Sequence, residues 1–364
     1  MTVHDITLIV ESFAPLAFQE DYDNSGLLVG NANMEVKGVL LAIDVTPHVV
    51  NEAKEKGANL IVAHHPIIFK PLKRITGKGY VEQVVMDAIK NDIAIYAAHT
   101  NIDSVLGGVS FRIAQQIGLT NTHVLAPLQG QLVKLVTFAP TEHAERVRQA
   151  IFSAGAGVIG NYDSCSYNIQ GQGTFRAGEG TNPFVGKKGE IHFEPEVRIE
   201  TVVPRHKLAE AIKSMIDAHP YEEVAYDVYP LDLPYKKAGL GTVGDLPVPM
   251  EIMEFLSHVK RQLKAQCVRY TNPIKQYVTR IAICGGTGIS LLNDALATKA
   301  DVFITADVKY HQFFDAENLI VIADVGHFES EQFTVDIFYD LLSKKLPNFV
   351  ILKSDVRTNP INYI

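Results

Sequence analysis

Short apolar runs alternate with amphipathic stretches through the first third of the chain. The apolar runs have the length of buried strands, and the stretches between them place apolar residues at helical spacing. In chain order, the predicted elements are strand 39–45, helix 47–56, strand 60–63, helix 81–90 and strand 93–98. Strands that alternate with helices are typical of βαβ units around a largely parallel sheet. The pattern therefore predicts an α/β region over residues 1–126.

The last part of the chain, residues 236–364, repeats this alternation. Its predicted elements are helix 250–263, strand 280–284, a helix after Gly288, strand 302–305, strand 319–323 and helix 329–346. We interpret the two outer regions as one two-part α/β domain with parallel-rich sheets flanked by helices.

The middle region, residues 127–235, has a different pattern. In order, it predicts strand 132–138, helix 142–155, strands within a polar glycine-rich stretch 160–190, strand 197–203, helix 205–218, and a turn and strand in HPYEEVAYDVYPL. This order matches a ferredoxin-like α+β unit of about a hundred residues. We therefore interpret residues 127–235 as a domain inserted into the outer α/β domain.

Composition narrows the class of protein. The chain has 364 residues, which favours two or three domains, and its 47% apolar and 20% charged residues are typical of a soluble globular protein. A net charge of −8 disfavours nucleic acid or an anionic membrane as a partner. No apolar run has membrane-spanning length, and the first residues do not resemble a secretory signal. The cysteines Cys165, Cys267 and Cys284 form no C-x-x-C pair and predict reduced thiols in the cytoplasm.

Imidazole and carboxylate side chains follow three of the predicted strands. After strands 60–63, 93–98 and 319–323 come, in chain order, His64, His65, His99, Asp103, Asp324, His327 and Glu331. Because open α/β sheets bind ligands outside the carboxyl ends of their strands, we expect these side chains to meet at one edge of one sheet. Burying that many unpaired polar groups is costly, which favours a shared partner such as a metal ion.

His327 and Glu331 are spaced to act together. They lie four residues apart at a predicted helix start, so both project from one helix face. Imidazole and carboxylate ligands suit zinc, manganese or iron, so the ligand types do not identify the metal. The set contains no thiolate, which disfavours a closed structural zinc site and favours one that leaves room for water.

Each of these features also has a purely structural interpretation. His64 and His65 alone are typical of hydrogen-bonded histidines in a core or turn. Asp103 alone is typical of a turn or helix cap, and His327 with Glu331 of a solvated helix start. The coincidence of all three strand ends favours the metal site.

Five motifs give the outer regions a resemblance to a known family. They are DNSGLLVG at 23–30, AHHPIIF at 63–69, YAAHTNID at 96–103, ADVKYH at 306–311 and DVGHFESE at 324–331. Together they resemble the Nif-three-like family, whose members are often labelled GTP cyclohydrolase I type 2 homologues. Segments 160–186 and 219–231 resemble the PII-like or CutA-like domain inserted in the long form of that family.

The resemblance implies a centre of two divalent ions, with zinc favoured and iron or manganese as alternatives. His64 and His327 would bind one ion, His65 and Asp103 the other, and Glu331 would bridge both. The resemblance also implies that His99 and His311, which match motif positions, support the ligands or contact substrate. It further implies a homohexamer of two stacked trimers.

Two functions remain open at this point. The first is a metal-dependent hydrolase of a nucleotide or related phosphorylated small molecule, with GTP ring opening suggested by the family label. His99 or His311 would act as general acid or base, or only as a structural hydrogen-bonding group. No P-loop motif is present, and the loop 285–288 is either a phosphate-binding helix start or a tight turn.

The second function is a non-enzymatic sensor of a metal or small-molecule effector. The inserted region resembles trimeric regulators that bind ligands at subunit clefts. In this view the glycine-rich stretch 160–190 is either a mobile lid over the metal site or a plain surface loop.

Overall fold

A computed structural model describes the whole chain, from Met1 to Ile364. The chain divides into two units, which we call the outer unit, Met1–Pro127 with Lys236–Ile364, and the insert, Leu128–Tyr235. None of the helices combines the length and apolar character that crossing a bilayer requires.

The elements follow the predicted alternation, with most ends shifted by a few residues. The predicted single helix 329–346 is instead two helices, His327–Glu331 and Thr334–Lys345. The strands are β1 Gly26–Val29, β2 Val39–Ala42, β3 Leu60–Ala63, β4 Ala94–Ala97, β5 Thr120–Leu128, β6 Leu132–Pro140, β7 Tyr167–Arg176, β8 Ile191–Pro204, β9 Tyr226–Leu231, β10 Tyr235–Glu251, β11 Arg269–Tyr270, β12 Tyr277–Ile283, β13 Val302–Thr305, β14 Val321–Asp324 and β15 Ile351–Lys353. The α-helices are α1 Val3–Phe13, α2 Pro47–Glu55, α3 Tyr80–Lys90, α4 Thr100–Asp103, α5 Val109–Gln116, α6 Ala144–Ser153, α7 Leu208–Ala218, α8 Ile252–Gln262, α9 Leu292–Ala297, α10 His327–Glu331 and α11 Thr334–Lys345. Short 3-10 helices span Leu16–Phe18, Arg205–Lys207, Ile289–Leu291 and Tyr310–Ala316.

The outer unit contains a five-stranded sheet in the order β1-β4-β3-β2-β15. Strands β4, β3, β2 and β15 run parallel, and β1 pairs antiparallel with β4 at one edge. Every residue of β2, β3 and β4 is buried, because helices such as α2 and α3 cover the sheet. Burial on both faces explains why these strands are continuous apolar runs.

A second sheet of the outer unit has six strands in the order β11-β14-β13-β12-β10-β5. Strands β12, β13 and β14 are parallel, whereas β10 and β11 pair antiparallel on the two sides of that group. The expectation that all ligand-bearing strands share one sheet was therefore wrong. Strands β3 and β4 belong to the five-stranded sheet and β14 to the six-stranded sheet, because β10 and β11 occupy both sides of the β12–β14 group.

The insert has the element order β6-α6-β7-β8-α7-β9, as its pattern predicted. Its strands form an antiparallel sheet in the order β7-β8-β6-β9. Helices α6 and α7 cover one face, where Leu135 and Ile199 of the sheet pack with Val147 and Met215 of the helices. The glycine-rich stretch 160–190 is not a loop throughout, because it contains β7.

Candidate metal centre

His64 and His65 extend directly from the end of β3. Their backbone N–H groups donate to Ala42 and Ile43 at 3.2 and 2.9 Å, which continues the pairing of β3 with β2. The Nδ1 atom of His64 lies 3.0 Å from the Ala98 carbonyl oxygen, so it carries the proton of the neutral ring. The Nε2 atom of His64 is then a free lone pair in a fully buried position.

Glu331 lies at the centre of the cluster. Its Oε2 atom is 2.9 Å from Nε2 of His65, 3.0 Å from Nε2 of His327 and 3.6 Å from Nε2 of His64. The contact with His327 is the expected pair four residues apart on one helix, α10. Gly286 makes room for the carboxylate, because a Cβ atom there would lie 2.2 Å from Oε1 of Glu331.

Two buried polar atoms of the cluster have no hydrogen-bond partner. They are Nε2 of His64 and Oδ1 of Asp103. Nε2 of His64 lies 3.9 Å from the Asp103 oxygen and 3.6 Å from the Glu331 oxygen. Buried polar atoms without a partner are costly, and a cation shared with the nearby Glu331 carboxylate would satisfy both. The donor set of imidazole nitrogen and carboxylate oxygen therefore fits a divalent metal ion.

A second group of donors shares the same Glu331 oxygen. The Nε2 atoms of His65 and His327 are 3.3 Å apart, and together with Glu331 they could hold a metal ion. Nε2 of His64 thus lies beside Asp103, and the donor atoms of His64, His65 and His99 also lie within 4.8 Å of one another. The pairing of His64 with His327 and of His65 with Asp103 that the family resemblance implies stays a prediction.

Three aspartates that the sequence analysis did not assign to the site orient its imidazoles. Asp44 lies 2.7 Å from Nδ1 of His65, and Asp307 lies 2.7 Å from Nδ1 of His327. Asp23 makes the same contact to His99 at 2.8 Å. Each carboxylate holds the Nδ1 proton, which leaves Nε2 as the free ligand atom. Their positions along the chain could have indicated this role. Asp44 and Asp307 follow the ends of β2 and β13, and Asp23 precedes β1, which runs antiparallel to β4.

The two candidate catalytic histidines lie in different surroundings. The ring centroid of His99 is 5.2 Å from that of His64 and 5.4 Å from that of His65, so His99 borders the cluster. His311 is exposed on the 3-10 helix Tyr310–Ala316, where its ring contacts Tyr310 at 5.2 Å. The structure does not bring His311 together with the cluster.

The glycine loop 285–288 is held by side chains of the protein. The N–H group of Gly285 donates to Ser110 at 3.2 Å, that of Gly286 to Ser330 at 2.9 Å, and that of Gly288 to Thr305 at 2.9 Å. Donors that are already used do not form a phosphate cradle. The loop 285–288 is therefore a tight turn and not a phosphate-binding helix start.

Burial and neighbouring charges shift the pKa values of the innermost groups in different directions. Burial lowers the pKa of His64 to about 4, so the ring is neutral at neutral pH and presents Nε2 as a lone pair. Burial, followed by the negative charge of Glu331, raises the pKa of Asp103 well above its ordinary value. Burial also opposes ionisation of Glu331, but the neighbouring imidazoles lower its pKa well below the ordinary value.

Neighbouring carboxylates favour the protonated forms of His65 and His327. Burial opposes this, but hydrogen bonds to Asp44 and Glu331 raise the pKa of His65 to about 9. Hydrogen bonds to Asp307 and Glu331 likewise outweigh burial and raise the pKa of His327 to about 11. At neutral pH each ring must therefore lose its Nε2 proton before that atom can bind a metal.

Metal binding is accordingly expected to release protons and to strengthen as pH rises. Near neutral pH, we expect about two protons to leave for each chain that fills the His65–His327 group. Affinity should fall as pH decreases, because both pKa values lie above neutrality and protons compete for the ligand atoms. Calorimetric titration with Zn²⁺ in buffers of different ionisation enthalpy measures this release. Identical enthalpies in all buffers would contradict the prediction.

The fold and the cluster together define a class: a mixed α/β protein with several sheets flanked by helices and a His/Glu cluster that could hold a metal. The sequence agrees with this class, since residues 1–360 match the family model described as Duf34/NIF3 (NGG1p interacting factor 3). The chain belongs to the Duf34/NIF3 family.

Relatives match over nearly the whole chain. A protein of Halalkalibacterium halodurans named GTP cyclohydrolase 1 type 2 homolog is 40% identical over 361 residues, covering 98% of this chain and 97% of the relative. The protein of the same name from Bacillus subtilis is 38% identical over 369 residues, covering 99% and 98%. A crystal structure of a Bacillus cereus protein related to NIF3 superposes with a TM-score of 0.88 at 41% identity, covering 100% of this chain and 99% of that one.

Proposed function

We propose that the cluster binds two divalent ions and that the protein is a metal-dependent hydrolase of a nucleotide or related phosphorylated small molecule. The observation that carries this proposal is the position of the Glu331 Oε2 atom. It lies within 3.0 Å of two imidazole nitrogens and 3.6 Å from a third, so one carboxylate faces both donor groups. Two ions that share a carboxylate supply an activated water and stabilise charge that develops on a substrate.

We assign the ligands by the distances between their donor atoms. His64 and Asp103 would hold one ion and His65 and His327 the other, with Glu331 bridging both. Zinc is the ion we favour, with iron or manganese as alternatives, because imidazole and carboxylate ligands suit all three. The exposed fraction of the side chain is 25% for His65 and 33% for His327, against none for His64. A substrate would therefore approach from the side of His65 and His327.

His99 is our candidate for proton transfer. Asp23 holds its Nδ1 proton, which leaves Nε2 to accept or donate a proton beside the cluster. A side chain exposed by 17% is reached by solvent and substrate while its orientation stays fixed. His311 stays a second candidate. Its exposure favours this role, whereas its lack of contact with the cluster does not.

Two exposed aromatic rings extend from His99 to the surface. The ring centroid of Phe69 lies 6.3 Å from that of His99, and Tyr22 lies 6.4 Å from Phe69. Their exposed fractions are 45% and 64%, so both rings can contact a planar ligand. This surface supports a substrate that contains a heteroaromatic base, and the ions rather than the loop 285–288 would contact its phosphates.

The proposal is tested by turnover of defined substrates. Protein loaded with zinc, iron or manganese is screened with GTP, other nucleotides, pterin precursors and phosphoesters. We expect His65→Ala to lose both metal and turnover, and His99→Gln to keep its metal but lose turnover by about 10²–10⁴-fold. His48→Gln, an exposed histidine on α2, is the matched control. Turnover that survives both His65→Ala and His99→Gln would exclude this site as the catalyst.

A non-enzymatic sensor is the second candidate function. The sheet order β7-β8-β6-β9 with two helices on one face supports our proposal that the insert is a ferredoxin-like domain of the PII or CutA kind. The sensor is favoured if no substrate turns over while a small effector raises the melting temperature of the protein.

Assembly and location remain predictions. We propose a hexamer of two stacked trimers on the basis of the family resemblance alone. The free cysteines Cys165, Cys267 and Cys284 suit our proposal of a cytoplasmic location.

A further inference from the structure

The insert contains a cavity of about 600 Å³ that no part of the proposed hydrolase uses. Its floor is formed by β6, β7 and β8, with residues such as Phe138, Ile169 and Arg198. These positions alternate with Leu135 and Ile199, which pack beneath α6 and α7, so the cavity lies on the sheet face away from the helices. Its volume is in the range of small-molecule sites.

Aromatic rings form the walls of this cavity. The ring centroid of Tyr221 lies 6.1 Å from that of Phe175 and 6.3 Å from that of Phe184. A Cβ atom built on Gly171 of β7 would meet nothing within 4 Å, so the space above this part of the floor is open. The walls therefore suit an apolar or aromatic body of a ligand.

A carboxylate lies at the base of the aromatic walls. Oε1 of Glu196 accepts a hydrogen bond from the Tyr221 hydroxyl at 2.8 Å. Oε2 of Glu196 lies next to Gly173, where a Cβ atom would come within 2.2 Å of it. Glycine at that position thus leaves space for the carboxylate within the cavity lining, and Oε2 can accept a bond from a ligand.

The charges around the cavity favour a cation. Its lining includes the carboxylates Glu196, Glu222 and Glu223 and the guanidinium groups of Arg176 and Arg198. The guanidinium of Arg198 already bonds Glu200 at 2.8 Å and lies over the Phe138 ring at 5.8 Å. Negative charge therefore exceeds free positive charge. Aromatic faces beside a carboxylate are the surroundings that bind organic ammonium groups.

We propose that the insert binds a small organic cation in this cavity, with its ammonium group against Glu196 and its apolar body against the rings of Phe175, Phe184 and Tyr221. The site is independent of the metal centre and of hydrolysis. It would give the insert an effector-binding role of its own.

Calorimetric titration of the full chain with phenethylamine tests this site, with phenylacetate as a probe of similar shape and opposite charge. We expect one phenethylamine per chain, bound at least about tenfold more tightly than phenylacetate. Glu196→Gln should weaken phenethylamine binding by about tenfold or more. Glu194→Gln is the matched control, because Glu194 lies two residues away on β8, pairs with His192 and does not line the cavity.

A second variant separates binding from folding. Phe184 is 51% exposed, so Phe184→Ala should leave the melting temperature unchanged and still weaken binding. Phenylacetate binding as tightly as phenethylamine would overturn the proposal, as would no binding of either probe. Equal weakening by Glu194→Gln and Glu196→Gln would also overturn it.

Discussion

Glu331→Gln is expected to lower the affinity of the cluster for divalent ions by at least about two orders of magnitude. The Glu331 carboxylate faces all three imidazole nitrogens of the cluster, which lie 2.9, 3.0 and 3.6 Å from its Oε2 atom. Glutamine keeps the shape but removes the negative charge that both donor groups share. Any turnover should be lost with the metal. Chelator competition followed by elemental analysis of the dialysed protein measures the change.

Glu329→Gln is the control for this substitution. Glu329 lies on the same helix, is also buried, and bonds Asn359 instead of the cluster. This variant should keep its metal content even if its stability falls. Equal metal loss in both variants would point to general disruption of α10 and would count against Glu331 as a ligand.

Gly286→Ala is expected to weaken both metal binding and folding. Gly286 has a φ of +63°, and an added Cβ would lie 2.2 Å from Oε1 of Glu331. The left-handed backbone alone costs alanine about 1–2 kcal/mol. In addition, the new Cβ would displace the Glu331 carboxylate, which is buried and contacts three imidazole rings. We expect metal affinity to fall by about tenfold or more. Chemical denaturation of the metal-free protein and chelator competition measure the two effects.

Gly57→Ala isolates the backbone contribution. Gly57 has a φ of +71°, and an added Cβ would meet nothing within 4 Å. Its substitution should lower the free energy of unfolding by about 1–2 kcal/mol and leave metal affinity unchanged. If Gly286→Ala changes metal affinity no more than Gly57→Ala does, the close approach of Gly286 to Glu331 has no role in the site.

Local pattern was sufficient for much of the fold. Strands 60–63 and 302–305 were predicted with the bounds that the structure has, because every residue of both strands is buried and nearly all are apolar. The strand-end pattern also predicted that imidazole and carboxylate groups come together, but the family resemblance was needed to select five of them. His64, His65, Asp103, His327 and Glu331 lie in one cluster, and their role as ligands stays a prediction.

The local sequence pattern could not predict which strands that are distant in the chain pair with each other. Whether β12 pairs with β10 or with a strand of the first half depends on long-range packing, and this choice decides that two sheets rather than one frame the cluster. Asp44 and Asp307 were missed for a related reason. An aspartate after a strand is typical of many turns, and only the folded chain shows that these two face His65 and His327.

The candidate centre joins residues that are synthesised far apart in time. His64, His65 and Asp103 precede the insert, and His327 and Glu331 follow it, more than about 200 residues later. The donor set is therefore incomplete until α10 has left the ribosome, because α10 follows the insert in the chain. Nascent chains that stop within the insert carry three of the five donors and lack the shared carboxylate. Tight metal binding would thus indicate that the two segments of the outer unit, Met1–Pro127 and Lys236–Ile364, have folded together.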